Sequence, residues 1–209
     1  MNSRERVLAS INHKEPDKIP IDLGSTQVTG ISAIAYNRLK KYLGITSGHT
    51  RIIDIGQQLA KVEDIIIDKF QIDVLDIGRV YNTNDEDWYD INIKGLNVQF
   101  PANVKPRRNE DNSYDIFHPD GTVLAKMSEG AFYFEQTYFP YLEGYPDLSD
   151  LLGAFNKYAG FFNPPAPFDN LQQKKFWRKL RENAIELRKN SNKAITINLG
   201  CSVFEFGHA

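Results

Sequence analysis

The spacing of hydrophobic and polar residues changes along the chain and divides it into three stretches. Up to Arg79, apolar positions recur with helical spacing or in short unbroken runs, which predicts helices and buried strands. Residues 85–140 instead show short alternating runs rich in Tyr, Phe, Asn, Asp and Gly, which are typical of antiparallel strands. After a proline-rich path, helical spacing returns at 148–155 and 174–189, and an apolar run follows at 194–199.

The opening residues predict a capped helix, a stop and a strand. Asn2 can cap a helix, and Glu5 stands at the capping-box position three residues later. The apolar positions of this helix form one stripe, made of Val7, Leu8 and Ile11. Pro16 cannot continue the helix, and the alternating run 19–23 after it predicts a buried strand.

Strands and helices continue to alternate in the first stretch. Residues 61–70 predict one helix, and residues 31–43 predict another that ends at Gly44. The apolar side of the helix at 31–43 carries Ile31, Ile34, Ala35, Leu39 and Leu43. The predicted parallel strands are 19–23, 52–55, 73–77 and 194–199. This order indicates an α/β fold with a parallel sheet and crossover connections.

The second stretch predicts two antiparallel hairpins. They pair 88–93 with 97–100 around Lys94 and Gly95, and 114–117 with 122–126 around the His-Pro-Asp-Gly turn at 118–121. We expect residues 85–140 to form a β-rich insertion on the rim of the α/β domain.

Composition excludes several classes of protein. The chain has 209 residues, of which 41% are hydrophobic, enough for a well-filled core. The formal net charge of −2 gives no nucleic-acid footprint, and the basic runs 105–108 and 174–188 are interpreted as solvated faces. Cys201 is the single cysteine, which suits a reducing cytosol. No apolar run approaches the roughly 20 residues that span a bilayer, and no secretory signal follows Met1, so we expect a cytoplasmic protein without a membrane partner.

Few residues suggest chemistry by themselves. The four histidines, His13, His49, His118 and His208, are far apart in sequence, so no metal site is predicted. Ser25 and Thr26 lie in a small polar loop, 24–30, that could meet an anion at the start of the next helix or be an ordinary connecting loop. Cys201 follows a strand end and is either a site residue or, with more weight, a buried structural cysteine.

Two aspartates flank the predicted strand 73–77. Asp73 begins it and is interpreted as a turn or cap residue. Asp76 lies near its carboxyl end, where a buried carboxylate is costly unless it is paired or hydrogen-bonded. Asp76 is therefore either a site residue, with Arg79 as a partner, or half of a structural Asp–Arg pair.

Three segments, 4–24, 36–44 and 70–78, resemble parts of the uroporphyrinogen decarboxylase superfamily. The first carries Arg-Glu-Arg-Val-Leu, a Glu-Pro-Asp turn and a proline-flanked strand. The resemblance implies a (β/α)8 TIM barrel that either decarboxylates uroporphyrinogen or moves methyl groups to and from corrinoid proteins. The residues Leu75, Asp76 and Ile77 resemble the segment in which the decarboxylases hold an aspartate towards the pyrrole nitrogens. Asp76 is therefore the implied catalytic residue.

The sequence departs from the decarboxylases just after the first predicted strand. The decarboxylases carry an Arg-Gln-Ala-Gly-Arg-Tyr motif whose arginines hold substrate carboxylates, whereas residues 22–26 contain no arginine. This difference shifts the expected mechanism towards corrinoid-dependent methyl transfer. The methyltransferases bind zinc through a His-x-Cys and a later Cys, normally in their second half. We therefore expect no cofactor in this chain, and zinc and a corrinoid protein in a longer parent.

The number of predicted parallel strands is small for a barrel. A closed (β/α)8 barrel usually needs about 250 residues, and here residues 85–140 belong to the antiparallel block. We expect residues 1–209 to be one incomplete barrel domain, the N-terminal half of a longer barrel. Its open sheet edges favour a homo-oligomer or a complementary half-barrel chain. The alternative to an enzyme is an inactive half barrel or a binding module that needs such a partner.

The expected site lies at the carboxyl ends of the parallel strands, where the connecting loops of such barrels converge. Asp76 would be its catalytic residue, and no metal ligand is assigned. The substrate would be a tetrapyrrole or a methyl donor. The residues expected to contact it are Ser25, Thr26, Arg79 and Cys201.

Overall fold

The computed structural model describes residues 1–80, 84–142, 144, 147–151, 153–154, 157 and 173–197. The helices are α1 Ser3–Ile11, α2 Ala33–Tyr42, α3 Asp64–Lys69 and α4 Lys174–Asn190. The strands are β1 Ile52–Asp54, β2 Leu59–Ala60, β3 Val74–Asp76, β4 Trp88–Ile93, β5 Leu96–Pro101, β6 Arg107–Arg108, β7 Tyr114–Phe117, β8 Val123–Met127, β9 Glu135–Gln136 and β10 Ala194–Thr196. Short 3₁₀ helices lie at Ile77–Val80, Asp85–Asp87 and Leu148–Asp150, and the predicted helix 148–155 lies partly outside the described residues.

Helix α1 begins with the predicted capping box but buries an unexpected face. Asn2 Oδ1 accepts a hydrogen bond from the Glu5 N–H at 2.9 Å, and Glu5 Oε2 accepts one from the Asn2 N–H at 2.9 Å. The predicted apolar face is wrong, because Ile11 is 67% exposed whereas Arg6 is only 6% exposed. Arg6 tolerates burial because its guanidinium donates to Asp73 Oδ1 at 2.6 Å.

Residues 19–23 form no strand, contrary to the prediction, although they lie beside the start of β3. Pro20 has no N–H to donate to a ladder, and Ile19 is 83% exposed. The Asp73 N–H donates to Ile21 O at 2.7 Å, but the Ile21 N–H donates to the side-chain oxygen Asp73 Oδ2 at 2.9 Å. Because the second bond goes to a side chain, the pairing does not extend as a sheet.

Strand β1 forms within the predicted run 52–55, but its predicted parallel pairing is wrong. It pairs antiparallel with β2, and Ile52 lies opposite Ala60. Asp54 Oδ1 accepts a hydrogen bond from the Gln57 N–H at 2.8 Å, which stabilises the reversal between the two strands. The chain therefore turns back locally instead of crossing over through a helix.

Strands β3 and β10 pair in parallel, as predicted for the runs 73–77 and 194–199. The register partners are Val74 with Ala194, Leu75 with Ile195, and Asp76 with Thr196. Residues 198 and 199 lie outside the described part of the chain. The pair joins two segments that are far apart in the sequence.

Both predicted hairpins are confirmed. Strands β4 and β5 pair antiparallel around Lys94 and Gly95, whose φ angles of 52° and 82° suit a tight two-residue hairpin turn. Strands β7 and β8 form the second hairpin, within a four-stranded antiparallel sheet in the order β6-β7-β8-β9.

Helix α2 buries the predicted face only in part. Its buried residues are Ala33, Tyr36 and Lys40, whereas Ala35, in the predicted apolar stripe, is exposed. Lys40 can occupy a buried position because its ammonium group pairs with Glu63 at 2.6 Å. Ile31 and Leu43 of the predicted stripe pack against the core, so a stripe drawn from aliphatic residues alone is right in part but misses Tyr36 and Lys40.

Buried side chains form two clusters, and the parallel pair contributes to both. The larger cluster joins α2 and α3 to the antiparallel strands, and Leu75 of β3 belongs to it. The smaller cluster consists of Ile77 with Phe176 and Leu180 of α4, and Ile195 of β10 packs against it. Helix α4 contacts both clusters, because its Leu187 packs against the larger one.

Candidate active site

The carboxyl end of the parallel pair places Asp76 beside its register partner Thr196. Asp76 is half-buried, and the chain turns directly after it into the 3₁₀ helix Ile77–Val80. Its carboxylate folds over Gly78, where an added Cβ would stand 2.6 Å from Asp76 Oδ2 and 3.3 Å from Cγ. The missing side chain at Gly78 therefore provides the space that the carboxylate occupies.

Two other predicted residues are placed only in part. The backbone of Arg79 follows Asp76 within the 3₁₀ helix, which brings it to the predicted edge of the sheet. The side chain of Arg79 lies outside the described part of the structure, as does the whole of Cys201.

The loop 24–30 directs its polar groups inward. Ser25 is buried, its hydroxyl donates to Asp22 Oδ2 at 2.5 Å, and its N–H donates to Asp22 Oδ1 at 3.2 Å. The Thr26 N–H donates to Thr29 Oγ1 at 3.2 Å. These bonds hold the loop in shape, and they do not connect Ser25 or Thr26 to the carboxyl end of β3. The three-residue spacing of Asp22 and Ser25 is a capping-type signal that sequence reasoning missed.

The opposite end of β3 carries a buried ion-pair network. Asp73 is fully buried, and it accepts hydrogen bonds from Arg6 Nη1 at 2.6 Å and from the Ile21 N–H at 2.9 Å. Arg6 also donates to both carboxylate oxygens of Asp17, at 2.7 and 2.9 Å. The N-terminal ammonium of Met1 donates to Asp17 at 3.1 Å. Asp73 is thus a buried ion-pair residue, not the turn or cap residue that its sequence position predicted.

Hydrogen bonding keeps this network charged. The hydrogen bond from Arg6 holds the pKa of the Asp17 carboxyl well below its ordinary value, and the N-terminal ammonium lowers it further. Burial by itself would raise the pKa of Asp73, but hydrogen bonds from Ser3, the Ile21 N–H and Arg6 together lower it. The two carboxylates raise the pKa of Arg6 in return. The amino end of β3 is therefore a satisfied structural cluster.

A second cluster, which sequence reasoning missed, lies at the carboxyl-terminal half of α2. Lys40 Nζ and the Tyr36 hydroxyl both donate to Glu63 Oε2, at 2.6 and 2.9 Å. The His49 N–H donates to Glu63 Oε1 at 3.0 Å. The only sequence signal was the helical spacing of Tyr36 and Lys40, because Glu63 and His49 come from separate segments.

Neither the comparisons with known proteins nor a search for metal ligands assigns a function to the chain. No family model, curated protein or solved structure matches the chain. Among the described residues, no group of three or more His, Cys, Asp or Glu is arranged to hold a metal ion, so this part offers no fit for zinc. No helix in that same part of the chain is long and apolar enough to cross a membrane.

Proposed function

We propose that this chain forms part of a (β/α)8-type enzyme of tetrapyrrole or corrinoid metabolism that resembles the uroporphyrinogen decarboxylase superfamily. Residues 85–140 would be a β-rich insertion, and the enzyme would work in the cytoplasm on a tetrapyrrole or a methyl donor. The supporting observation is the parallel pair of β3 and β10, whose register sets Asp76 beside Thr196. That edge is where barrels of this class build their active sites.

The arrangement of arginines favours methyl transfer over decarboxylation within this proposal. A substrate with many carboxylates needs cationic partners, and Arg provides the best geometry for them. Arg6 of α1 donates to Asp17 and Asp73 at the amino end of β3, and Arg4 donates to Ser191 O at 2.8 Å. These two arginines therefore make their hydrogen bonds elsewhere in the fold and do not supply cations to the proposed site. A corrinoid protein would be the partner and zinc the metal of a longer parent, and no step proposed for the present residues uses either.

Asp76 is the proposed anchor for a hydrogen-bond donor on the substrate, such as a pyrrole or amide N–H. Its half-buried carboxylate lies at the strand end, in the space left by the missing side chain of Gly78. A fixed carboxylate stabilises positive charge or a donor without having to reorganise during the reaction. We assign it no role as a proton shuttle.

The test is turnover of Asp76→Asn, which keeps the shape of the side chain and removes its charge. Two assays are run on the full-length protein. One measures decarboxylation of uroporphyrinogen, and the other measures methylation of a reduced corrinoid, which is monitored through the visible spectrum of the corrinoid. We expect methyl transfer in the unaltered protein, and a loss of about 10²-fold in the variant, as for one oriented electrostatic contact.

The matched control is Asp68→Asn, because Asp68 is an exposed aspartate on α3. It should leave turnover unchanged. If Asp76→Asn kept full turnover while its circular dichroism matched the unaltered protein, Asp76 would be a structural residue. If neither reaction were detected, the enzyme proposal would give way to the alternative.

The alternative is an inactive half barrel or a binding module that needs a partner chain. Three apolar side chains at the amino-terminal end, Leu8, Ile11 and Ile19, are exposed. The parallel strands are only half-buried at Val74 and at all three residues of β10, although parallel sheets are normally covered on both faces. Both observations favour a covering surface supplied by a second copy or a complementary chain.

Sedimentation and unfolding separate the alternative from the enzyme proposal. A partner-dependent half barrel should sediment as an oligomer and lose cooperative unfolding on dilution. A monomer of 209 residues that unfolds in a single cooperative step would contradict the need for a partner.

A further inference from the structure

A cavity of about 760 Å³ lies between the carboxyl-terminal half of α2, the loop 44–50 and the hairpin of β4 and β5. Its volume is within the range of about 300 to 1,000 Å³ that is usual for small-molecule sites. None of its lining residues belongs to β3 or β10, so it is separate from the proposed active site. This cavity, termed the lysine cleft, is defined by Asn37, Lys40, Lys41, His49, Asn97 and Gln99.

Lys40 is a buried lysine on the wall of this cleft. Its side chain is 9% exposed, and an ammonium group has three hydrogen-bond donors. One donor reaches Glu63 Oε2 at 2.6 Å, and Nζ lies 5.8 Å from the centre of the Tyr36 ring. Within the described residues, Nζ makes no other hydrogen bond. A buried ammonium group is costly when its donors are unsatisfied. An oxygen atom of a ligand in the cleft would accept a further hydrogen bond from Lys40 Nζ and reduce this cost.

Glu63 fixes this ammonium relative to the adjoining loop. Its Oε2 accepts from Lys40, and its Oε1 accepts from the His49 N–H at 3.0 Å. Gly48 has a φ of 73° and lies so close that an added Cβ would overlap Glu63 Oε1. The lysine is therefore held at the cleft wall before any ligand arrives, which lowers the entropic cost of binding.

The facing wall is a ladder of polar side chains on β4 and β5. Asp90 lies opposite Gln99, whose Nε2 donates to Asp90 Oδ1 at 2.9 Å. Asn92 lies opposite Asn97 and donates to its Oδ1 at 2.6 Å. The amide N–H groups of Asn97 can donate hydrogen bonds to hydroxyl oxygens of a ligand. One wall thus offers ammonium groups, from Lys40 and Lys41, and the other offers amides.

We propose that the lysine cleft binds a small hydroxylated anion, a sugar phosphate or a sugar acid. The oxyanion accepts hydrogen bonds from Lys40 and Lys41, and the hydroxyl groups bond to Asn37 and Asn97. Phosphate and carboxylate satisfy the same cationic donors, so the shared chemistry is an oxyanion next to hydroxyl groups. Of the carboxylates at the cleft, Glu63 is paired with Lys40, so the charge of the oxyanion is met by Lys41, while Asp90 stays charged on the facing wall and is bonded to the neutral amide of Gln99.

Calorimetric titration of the full chain with three probes tests the proposal: glucose 6-phosphate, gluconate and glucose, all at low salt. At least one of the two anions should bind, and neutral glucose should bind at least tenfold more weakly. The stronger anion identifies which source of the oxyanion the cleft prefers. Binding should weaken as salt is added, because the interaction is electrostatic.

A charge reversal at Asn97 localises the binding. Asn97 is an exposed strand residue, so both of its charged variants should fold. Asn97→Glu should weaken the bound anion about tenfold, and Asn97→Lys should hold it equally or more tightly. Lys105→Gln, at an exposed lysine outside the cleft, is the matched control and should change nothing.

The proposal is overturned by any of three results. They are the absence of millimolar binding by both anions, glucose binding as tightly as the anions, and an affinity that Asn97→Glu leaves unchanged. None of these results bears on the turnover of Asp76→Asn, because the two sites share no residue.

Discussion

The two ends of strand β3 hold the same type of residue in opposite ways. At the amino end, Asp73 is fully buried and accepts hydrogen bonds from Arg6 and the Ile21 N–H. At the carboxyl end, Asp76 is half-buried and bends over Gly78. The comparison shows that the surroundings folded onto each strand end, rather than the strand itself, decide what a carboxylate does.

The same difference separates stability from function in (β/α)8 barrels, the fold that we propose for this chain. Their amino-terminal face contributes to stability, and their carboxyl-terminal face carries the chemistry. Helix α1 lies against the amino ends of both parallel strands: Arg6 bonds to Asp73 before β3, and the Arg4 N–H donates to Asn192 O before β10 at 2.9 Å. On this account, substitutions at Asp73 should affect folding, and substitutions at Asp76 should affect activity.

The largest expected effect is on the stability of Asp73→Asn. The substitution removes the buried one of the two carboxylates that pair with Arg6 and leaves only the partly exposed Asp17, which should lower the free energy of unfolding by about 3 kcal/mol. Urea denaturation followed by circular dichroism measures this loss. Asp76→Asn is the matched control at the other end of the strand and should lose much less. Equal losses at both ends would remove the distinction between them.

Acid should weaken the amino end of β3. The pKa values of Asp17 and Asp73 are lowered in the folded state, so their contribution is present above the unfolded value and is lost as pH falls through the folded values. The melting temperature should therefore stay level down to about pH 5 and fall below about pH 4, near the ordinary aspartate pKa. The fall should be shallower in Asp73→Asn. Parallel curves for the two proteins would show that Asp73 does not contribute.

The smallest expected effect on stability is that of Gly78→Ala. The new Cβ would stand 2.6 Å from Asp76 Oδ2, the tip of a side chain that can move, so unfolding should change by less than about 0.5 kcal/mol. Turnover should nevertheless fall about tenfold, because the carboxylate is displaced. Gly130→Ala is the control, since an added Cβ there meets no atom within 4 Å. Unchanged turnover in Gly78→Ala would mean that the position of Asp76 is unimportant.

Local signals in the sequence predicted much of the fold. The capping box of Asn2 and Glu5 and the turn at Lys94 and Gly95 depend on neighbouring residues, and the structure contains both. The strand that carries Asp76 also formed, because its run of apolar residues is short and well bounded. In these places the local preference and the tertiary structure agree.

Long-range contacts account for what sequence reasoning missed. Arg6 and Asp73 are distant in the sequence, so the burial of Arg6 could not be read from the pattern of α1. Residues 19–23 alternate like a strand, but Pro20 and the side-chain acceptor of Asp73 prevent a ladder. At the candidate site, the described residues place Asp76 and the backbone of Arg79 at the expected edge, whereas Cys201 lies outside the described part of the chain. Ser25 instead bonds to Asp22 within its own loop.

An NMR titration of backbone amides tests most directly whether the carboxyl end of β3 binds the substrate. The probe is a tetrapyrrole, and the titration is run once with a porphyrin and once with a corrinoid. Chemical-shift changes should concentrate at Asp76, Gly78 and Thr196, while the Asp73 amide at the other end of β3 should stay unchanged. Changes centred on Asp73 or on the lysine cleft, or no saturable change with either probe, would contradict this prediction.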